Sequence, residues 1–304
     1  MAFFTSVAAG QSASITQFER RGSGPVALVL VPGLSADWTL WTEFMDRNAS
    51  NYTMYSVTLP GFGGTTAPSE QSGQGTPWLD NAVSALQQFI SANDIQNPVV
   101  VGHDLGGVVA TRLAIKLPGT VSAVVNVDGL LAYPRAEGVT LEQHRATVSQ
   151  YLRPMFENIS EDQWQQQQAA SANLAVKEPA NVEQISRMFS RTSKSVGVTY
   201  LLETYQQDTA GNLPSLSQPT LVLTPGDVQA LGGISADKVN AWWTTTLAQA
   251  GPNVQRQTIA DARHFVMYDQ PEAFDQAVLG FISGLSGTPA ATTANAQSGI
   301  TAQD

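Results

Sequence analysis

The stretch Pro98-Val99-Val100-Val101-Gly102-His103-Asp104-Leu105-Gly106-Gly107-Val108-Val109-Ala110 constrains the fold of this chain more than any other. Val99 to Val101 is a β-branched apolar run of the kind that makes a strand buried on both faces. Val108 to Leu117 has the pattern of a helix, closed by Pro118-Gly119. Between them Gly102 and Gly106 flank Asp104 two residues to either side. A strand that turns at once into a helix needs small neighbours, because the apex residue sits in strained backbone with its side chain thrust outward. The helix behind it offers unpaired amides and a positive dipole end. Taken alone, the pattern also fits a glycine-rich turn in which Asp104 merely caps the helix. The rest of the chain discriminates.

Composition narrows the partners. With 304 residues and 42% hydrophobic content, the chain can bury one sizeable core and carry an inserted subdomain. A net charge of −10 argues against nucleic acid or an anionic membrane as partner. The acidity serves solubility and says little about the substrate; a small-molecule substrate is expected from the chemistry of the candidate site residues. With no cysteine, thiol catalysis and cysteine-bound metal are out. His103, His144 and His264 are too scattered for a zinc site, so neither metal nor cofactor is expected. No apolar run approaches the roughly 20 residues of a membrane span. Met1-Ala2-Phe3-Phe4-Thr5 lacks a basic region followed by an apolar core, so no signal peptide is visible and the cytoplasm is the default compartment. A monomer or homodimer is expected.

Along the chain, residues 3–8 and 12–20 have the alternation of a hairpin turning at Gly10-Gln11. Val26 to Val31 is an apolar strand running into Pro32-Gly33-Leu34-Ser35-Ala36-Asp37-Trp38-Thr39-Leu40-Trp41. Tyr52 to Thr58 is a further strand, ended by Leu59-Pro60-Gly61-Phe62-Gly63-Gly64, and Gln71 to Gly75 is a polar loop. Thr76-Pro77 starts a helix with Val83, Leu86, Phe89 and Ile90 on one face. A buried-type strand, Ala123 to Val127, leads to Asp128-Gly129. From about 133 to 212 the strand pattern vanishes into charged and Gln-rich helical stretches, with Gln165 to Gln168 on a solvated face. Pro219 to Thr224 resumes the sheet ahead of Pro225-Gly226-Asp227, and residues 236–250 form a helix carrying Trp242-Trp243. Asn253 to Ile259 is the last strand, followed by Asp261-Ala262-Arg263-His264-Phe265-Val266 and a helix over roughly 272–283. Alternating strands and helices specify an α/β fold with a mostly parallel sheet covered by helices on both faces.

Asp104, Asp227 and His264 each sit just beyond a predicted strand, in the order nucleophile, acid, base. With the Gly-x-Asp-x-Gly elbow, the Pro60-Gly61 turn and His264-Phe265-Val266 ahead of Gln270-Pro271-Glu272, the chain resembles the α/β-hydrolase superfamily, with aspartate where most members have serine. The resemblance covers about 26–283. It implies a core of residues 1–132 and 213–285, an inserted helical cap over 133–212 and a disordered tail over 286–304. It also implies that the amides of Leu34 and Leu105 form an oxyanion hole. Trp38 and Trp41 resemble the HGxPxxWxxW pattern of epoxide hydrolases, though Pro32 replaces its histidine and Ser35 its proline; Trp41 is expected to be core. Asp128 rivals Asp227 as the acid, because some dehalogenases of the superfamily place it after this earlier strand. Asp227 is favoured for its Thr-Pro-Gly-Asp turn. His103 is expected to be structural, and His144 has no assigned role.

An aspartate nucleophile changes the chemistry. Carboxylate attack on an ester carbonyl gives a mixed anhydride, a poor intermediate, whereas attack at saturated carbon gives an alkyl ester on the enzyme that water then hydrolyses. The leading expectation is an epoxide hydrolase giving a diol. In such enzymes lid tyrosines protonate the epoxide oxygen, and of Tyr133, Tyr151, Tyr200 and Tyr205 the resemblance points to Tyr151 together with either Tyr200 or Tyr205, Tyr151 and Tyr200 being the pair expected. A haloalkane dehalogenase is the first alternative. Its halide-holding tryptophan after the nucleophile is Leu105 here, and the arginine that fluoroacetate dehalogenases keep there is absent too. The second alternative is a serine-esterase-like hydrolase in which Asp104 replaces serine, leaving it inactive or binding only.

Overall fold

The computed structural model of the chain describes residues 13–69, 76–228 and 235–285. Its strands are β1 (Phe18–Arg21), β2 (Val26–Val31), β3 (Tyr52–Val57), β4 (Val99–His103), β5 (Ala123–Val127), β6 (Thr220–Pro225) and β7 (Val254–Ile259). They form one seven-stranded sheet in the order β1-β3-β2-β4-β5-β6-β7. β1 pairs antiparallel with β3, and the other five pairings are parallel. Only residues 18–21 of the expected hairpin form a strand; its first arm, the polar loop 71–75 and the tail 286–304 lie outside the described residues.

The helices are α1 (Thr42–Asn48), α2 (Pro77–Ala92), α3 (Leu105–Lys116), α4 (Leu141–Thr147), α5 (Arg153–Glu157), α6 (Glu161–Ala175), α7 (Pro179–Phe189), α8 (Lys194–Gln206), α9 (Ala236–Leu247), α10 (Val266–Asp269) and α11 (Pro271–Leu285). Side chains along a strand point alternately to opposite faces, which is why the valine runs are unbroken. Val99, Val101 and Val125 pack on one face with Trp41, Phe44 and Phe274. Val100 and Val124 pack on the other with Leu79, Leu86, Val109 and Leu113 of α2 and α3. Trp41 is fully buried as core, its ring against Phe44 and Phe274.

Helices α4 to α8 are inserted between β5 and β6. A bridge between Ala132 and Asp208 closes the base of this excursion. The inserted helices have a small core of their own, Val148, Trp164, Val198 and Leu202. Gln166 and Gln167 lie exposed on α6 while Trp164 points inward, so the glutamine run is a wetted helix face. The insertion rests on the loops at the carboxyl ends of the strands. The Tyr200 hydroxyl donates to the Pro60 carbonyl (2.9 Å), and Arg191 pairs with the buried Asp37 just after β2. Ligand sites of open parallel sheets lie at this end of the strands.

Candidate active site

Asp104 sits between β4 and α3 with φ 49° and ψ −121°, a conformation strained for any residue but glycine. The strain is held by packing. A Cβ on Gly102 would lie 2.2 Å from the Gly106 carbonyl oxygen, and one on Gly106 would lie 2.3 Å from that of Val31. Only glycine at both places lets α3 start this close to β4 and β2. The Asp104 amide donates to the Val127 carbonyl (2.8 Å), tying the elbow to β5. Its side chain makes no capping hydrogen bond to α3, which removes the reading of Asp104 as an ordinary N-cap.

Instead Oδ2 accepts a hydrogen bond from the backbone amide of Leu34 at 3.0 Å. Oδ1 makes no hydrogen bond to any described residue. Leu105 opens α3, so its amide is one of the helix's orphan donors.

His264 lies on the loop after β7, and its Nδ1 is 2.7 Å from Oδ2 of Asp128. The structure therefore corrects the expected pairing: Asp128, not Asp227, holds the imidazole. Strand order alone does not choose between them, since β5 adjoins the β4 of Asp104 and β6 adjoins the β7 that leads to His264; the direction of the carboxylates does. The Asp227 carboxylate is turned toward cations, 3.4 Å from Arg263 Nε and 4.0 Å from Lys177 Nζ. Asp128 shares with Asp104 a left-handed backbone, φ 50°.

Burial pulls the His264 imidazole down, but the Asp128 hydrogen bond and charge, with the charge of Asp104, outweigh it and leave the pKa raised. His103 is buried, and its Nε2 donates to the His264 carbonyl at 3.0 Å. Burial first, then the neighbouring His264, hold its pKa well below the usual histidine range, so His103 is a neutral brace for the base.

Of the tyrosines named from sequence, Tyr151 is 69% exposed, and Tyr200 is fully buried with its hydroxyl committed to Pro60. Tyr205, the other choice on α8, is close enough to Asp104 to feel its charge. Burial, then Tyr133, then the negative Asp104 push its phenol up to about 12. The ring of Tyr133 packs edge-on against it at 4.6 Å, and His144 Nε2 donates to the Tyr205 carbonyl at 2.8 Å. Helical spacing separates Tyr200 from Tyr205 by about 140° around α8. That angle puts them on different sides of the helix, and the sequence shows no reason to prefer one.

A family model of the alpha/beta hydrolase family matches residues 28–277. The pimeloyl-[acyl-carrier protein] methyl ester esterase of Edwardsiella ictaluri is 24% identical over 279 residues, 87% of this chain and 96% of that one. The abhydrolase domain-containing protein abhd-5.2 of Caenorhabditis elegans is 30% identical over 101 residues, 33% of this chain and only 22% of its own length. Among solved structures, a thermophilic esterase from Thermogutta terrifontis superposes with a TM-score of 0.68 at 20% identity, covering 91% of this chain and 99% of that one. The enol-lactonase from Burkholderia xenovorans LB400 gives 0.64 at 16% identity, covering 88% and 96%. Sheet order, elbow and family match agree that the chain belongs to the alpha/beta hydrolase family.

Proposed function

We propose that the protein is a two-step hydrolase that forms an alkyl ester on Asp104 and opens an epoxide to a diol, with the inserted helices as its lid. The observation that carries this reading is the seating of Oδ2 on the Leu34 amide while Oδ1 has no partner among the described residues. One carboxylate oxygen is anchored and the other is left to attack. An ester carbonyl, as in the methyl ester esterase and enol-lactonase relatives, would need the place that Oδ2 already fills.

In the first step Oδ1 displaces the ring oxygen at saturated carbon, the C–O bond breaks, and that oxygen takes the Tyr205 hydroxyl proton. Even with its phenol pushed up to about 12, Tyr205 is protonated at neutral pH and remains more acidic than the alcohol it would form. In the second step His264 Nε2 removes a proton from water, which attacks Cγ of Asp104. Charge then develops on Oδ2, where the Leu34 amide already donates and the Leu105 amide, an orphan donor of α3, is the second donor of this proposal. Asp128 stabilises the imidazolium. Collapse expels the diol oxygen, which takes the proton from His264. The proton left on Asp104 restores Tyr205 through solvent.

The test is single-turnover hydrolysis of an epoxide in ¹⁸O-labelled water, followed by mass analysis of the peptide bearing Asp104. Label in the carboxylate supports the covalent route, and its absence rejects it. Running the same assay with an alkyl bromide separates epoxide from halide chemistry. If the parent is inert to both while Asp104→Ser cleaves aryl esters, Asp104 is a serine replacement.

A further inference from the structure

Helix α8 is fastened to the sheet domain by a carboxylate that neither step uses. Glu203 is 6% exposed, and both of its oxygens accept backbone hydrogen bonds from the first turn of α2: Trp78 N at 3.1 Å and Leu79 N at 2.8 Å. Those amides have no acceptor within their own helix, and Thr76 makes no side-chain cap there. A residue of the inserted segment thus caps a core helix. One turn earlier on α8, Tyr200 packs on Phe62 and Trp78 (4.8 and 5.2 Å between ring centroids) and bonds to Pro60. Two residues after Glu203 comes Tyr205.

We infer that Glu203 is a positioning residue, which by holding α8 against α2 fixes where α8, with Tyr205 two residues on, is held relative to the sheet domain that carries Asp104. The inference rests on the reading of Tyr205 as the proton donor. A helix is stiff over this length, so releasing its grip on α2 lets Tyr205 turn or withdraw. Losing both hydrogen bonds would leave two buried amides unpaired.

The groups facing Glu203 are Asp80 on α2, Arg112 on α3 and the Tyr200 hydroxyl on α8, with Arg112 itself paired to Asp80 at 2.8 Å. Burial pushes the Glu203 carboxyl up to about 7, against the pull of the Leu79 and Trp78 amides and Arg112 and with some help from Asp80. The docked helix therefore binds a proton more tightly than a released, wetted Glu203 does. Rising pH favours release.

The test is hydrogen exchange of α8 amides in the full chain, corrected for intrinsic rates. In the parent, opening of α8 relative to the central strands should grow roughly tenfold to thirtyfold from pH 5.5 to 8.5. Glu203→Gln should flatten that dependence, and Glu203→Ala should speed exchange by roughly 10–100-fold at low pH. A pH dependence that persists in Glu203→Gln, or α8 exchange unchanged in Glu203→Ala, overturns the proposal. Turnover supplies a second reading. Glu203→Ala should slow alkylation by an epoxide more than by an alkyl bromide, which needs no proton; equal losses overturn the positioning role. The exchange result stands even if Asp104 is never alkylated, so failure of the covalent route and failure of this inference are told apart.

Discussion

Replacing Asp128 by asparagine separates the two chemical steps and decides which carboxylate serves the base. The bond from His264 Nδ1 to Asp128 is 2.7 Å, with side chains 25% and 14% exposed. An asparagine there can still accept the Nδ1 proton, so the ring keeps its orientation, but the charge that stabilises imidazolium is gone. Unit charges about 4 Å apart at an effective dielectric of about 20 interact by about 4 kcal/mol. Discounting for partial exposure leaves about 3 kcal/mol, or roughly 10²–10³ in the rate of ester hydrolysis. Attack by Oδ1 asks nothing of His264, so the first step should run at near the parent rate. D128N should then accumulate the alkyl-enzyme, seen by rapid quench and intact mass as a protein heavier by one epoxide. D227N should stay within roughly fivefold of the parent, because its ion pairs with Arg263 and Lys177 are partly exposed and no bond to the His264 ring is lost. Turnover of D128N within fivefold of the parent, or the large loss falling on D227N, would refute the assignment of Asp128.

Three further outcomes follow from the same geometry. Tyr205→Phe should slow epoxide alkylation by ~10² or more and barely change reaction with an alkyl bromide, read by single-turnover kinetics. Tyr151→Phe should change neither rate, since that side chain is exposed, and Tyr200→Phe should lower unfolding stability by about 1–2 kcal/mol in a denaturant melt, because the Pro60 carbonyl loses its buried donor. Hydrolysis of the alkyl-enzyme needs neutral His264, so its rate should rise with pH to a plateau, with a midpoint held up by the Asp128 bond and charge alone once Asp104 is esterified. In D128N the midpoint should move to lower pH. A pH-independent rate would exclude His264 as the base.

What the sequence made legible, and what it hid, has a physical pattern. The valine runs of β4 and β5 could only be strands buried on both faces, and the glycines around Asp104 had to serve a tight strand-to-helix turn. Those features are local, so they read directly. The triad acid is not local. Asp128 and Asp227 both follow an apolar strand, and each strand adjoins one that carries a partner of the triad. What separates them is side-chain direction: His264 Nδ1 meets Asp128, while the Asp227 carboxylate is drawn to Arg263 and Lys177, far along the chain. The choice between Tyr200 and Tyr205 stays open in the sequence for a different reason. Which side of α8 turns toward the sheet domain depends on how that helix docks, and the docking includes Glu203 on the first turn of α2, a contact spanning more than 120 residues of chain. No periodicity within α8 encodes it, because Glu203 reads as one more charged residue in a polar helix until α2 is beside it. The same carboxylate that made the site illegible is thus the one whose removal should most directly displace Tyr205.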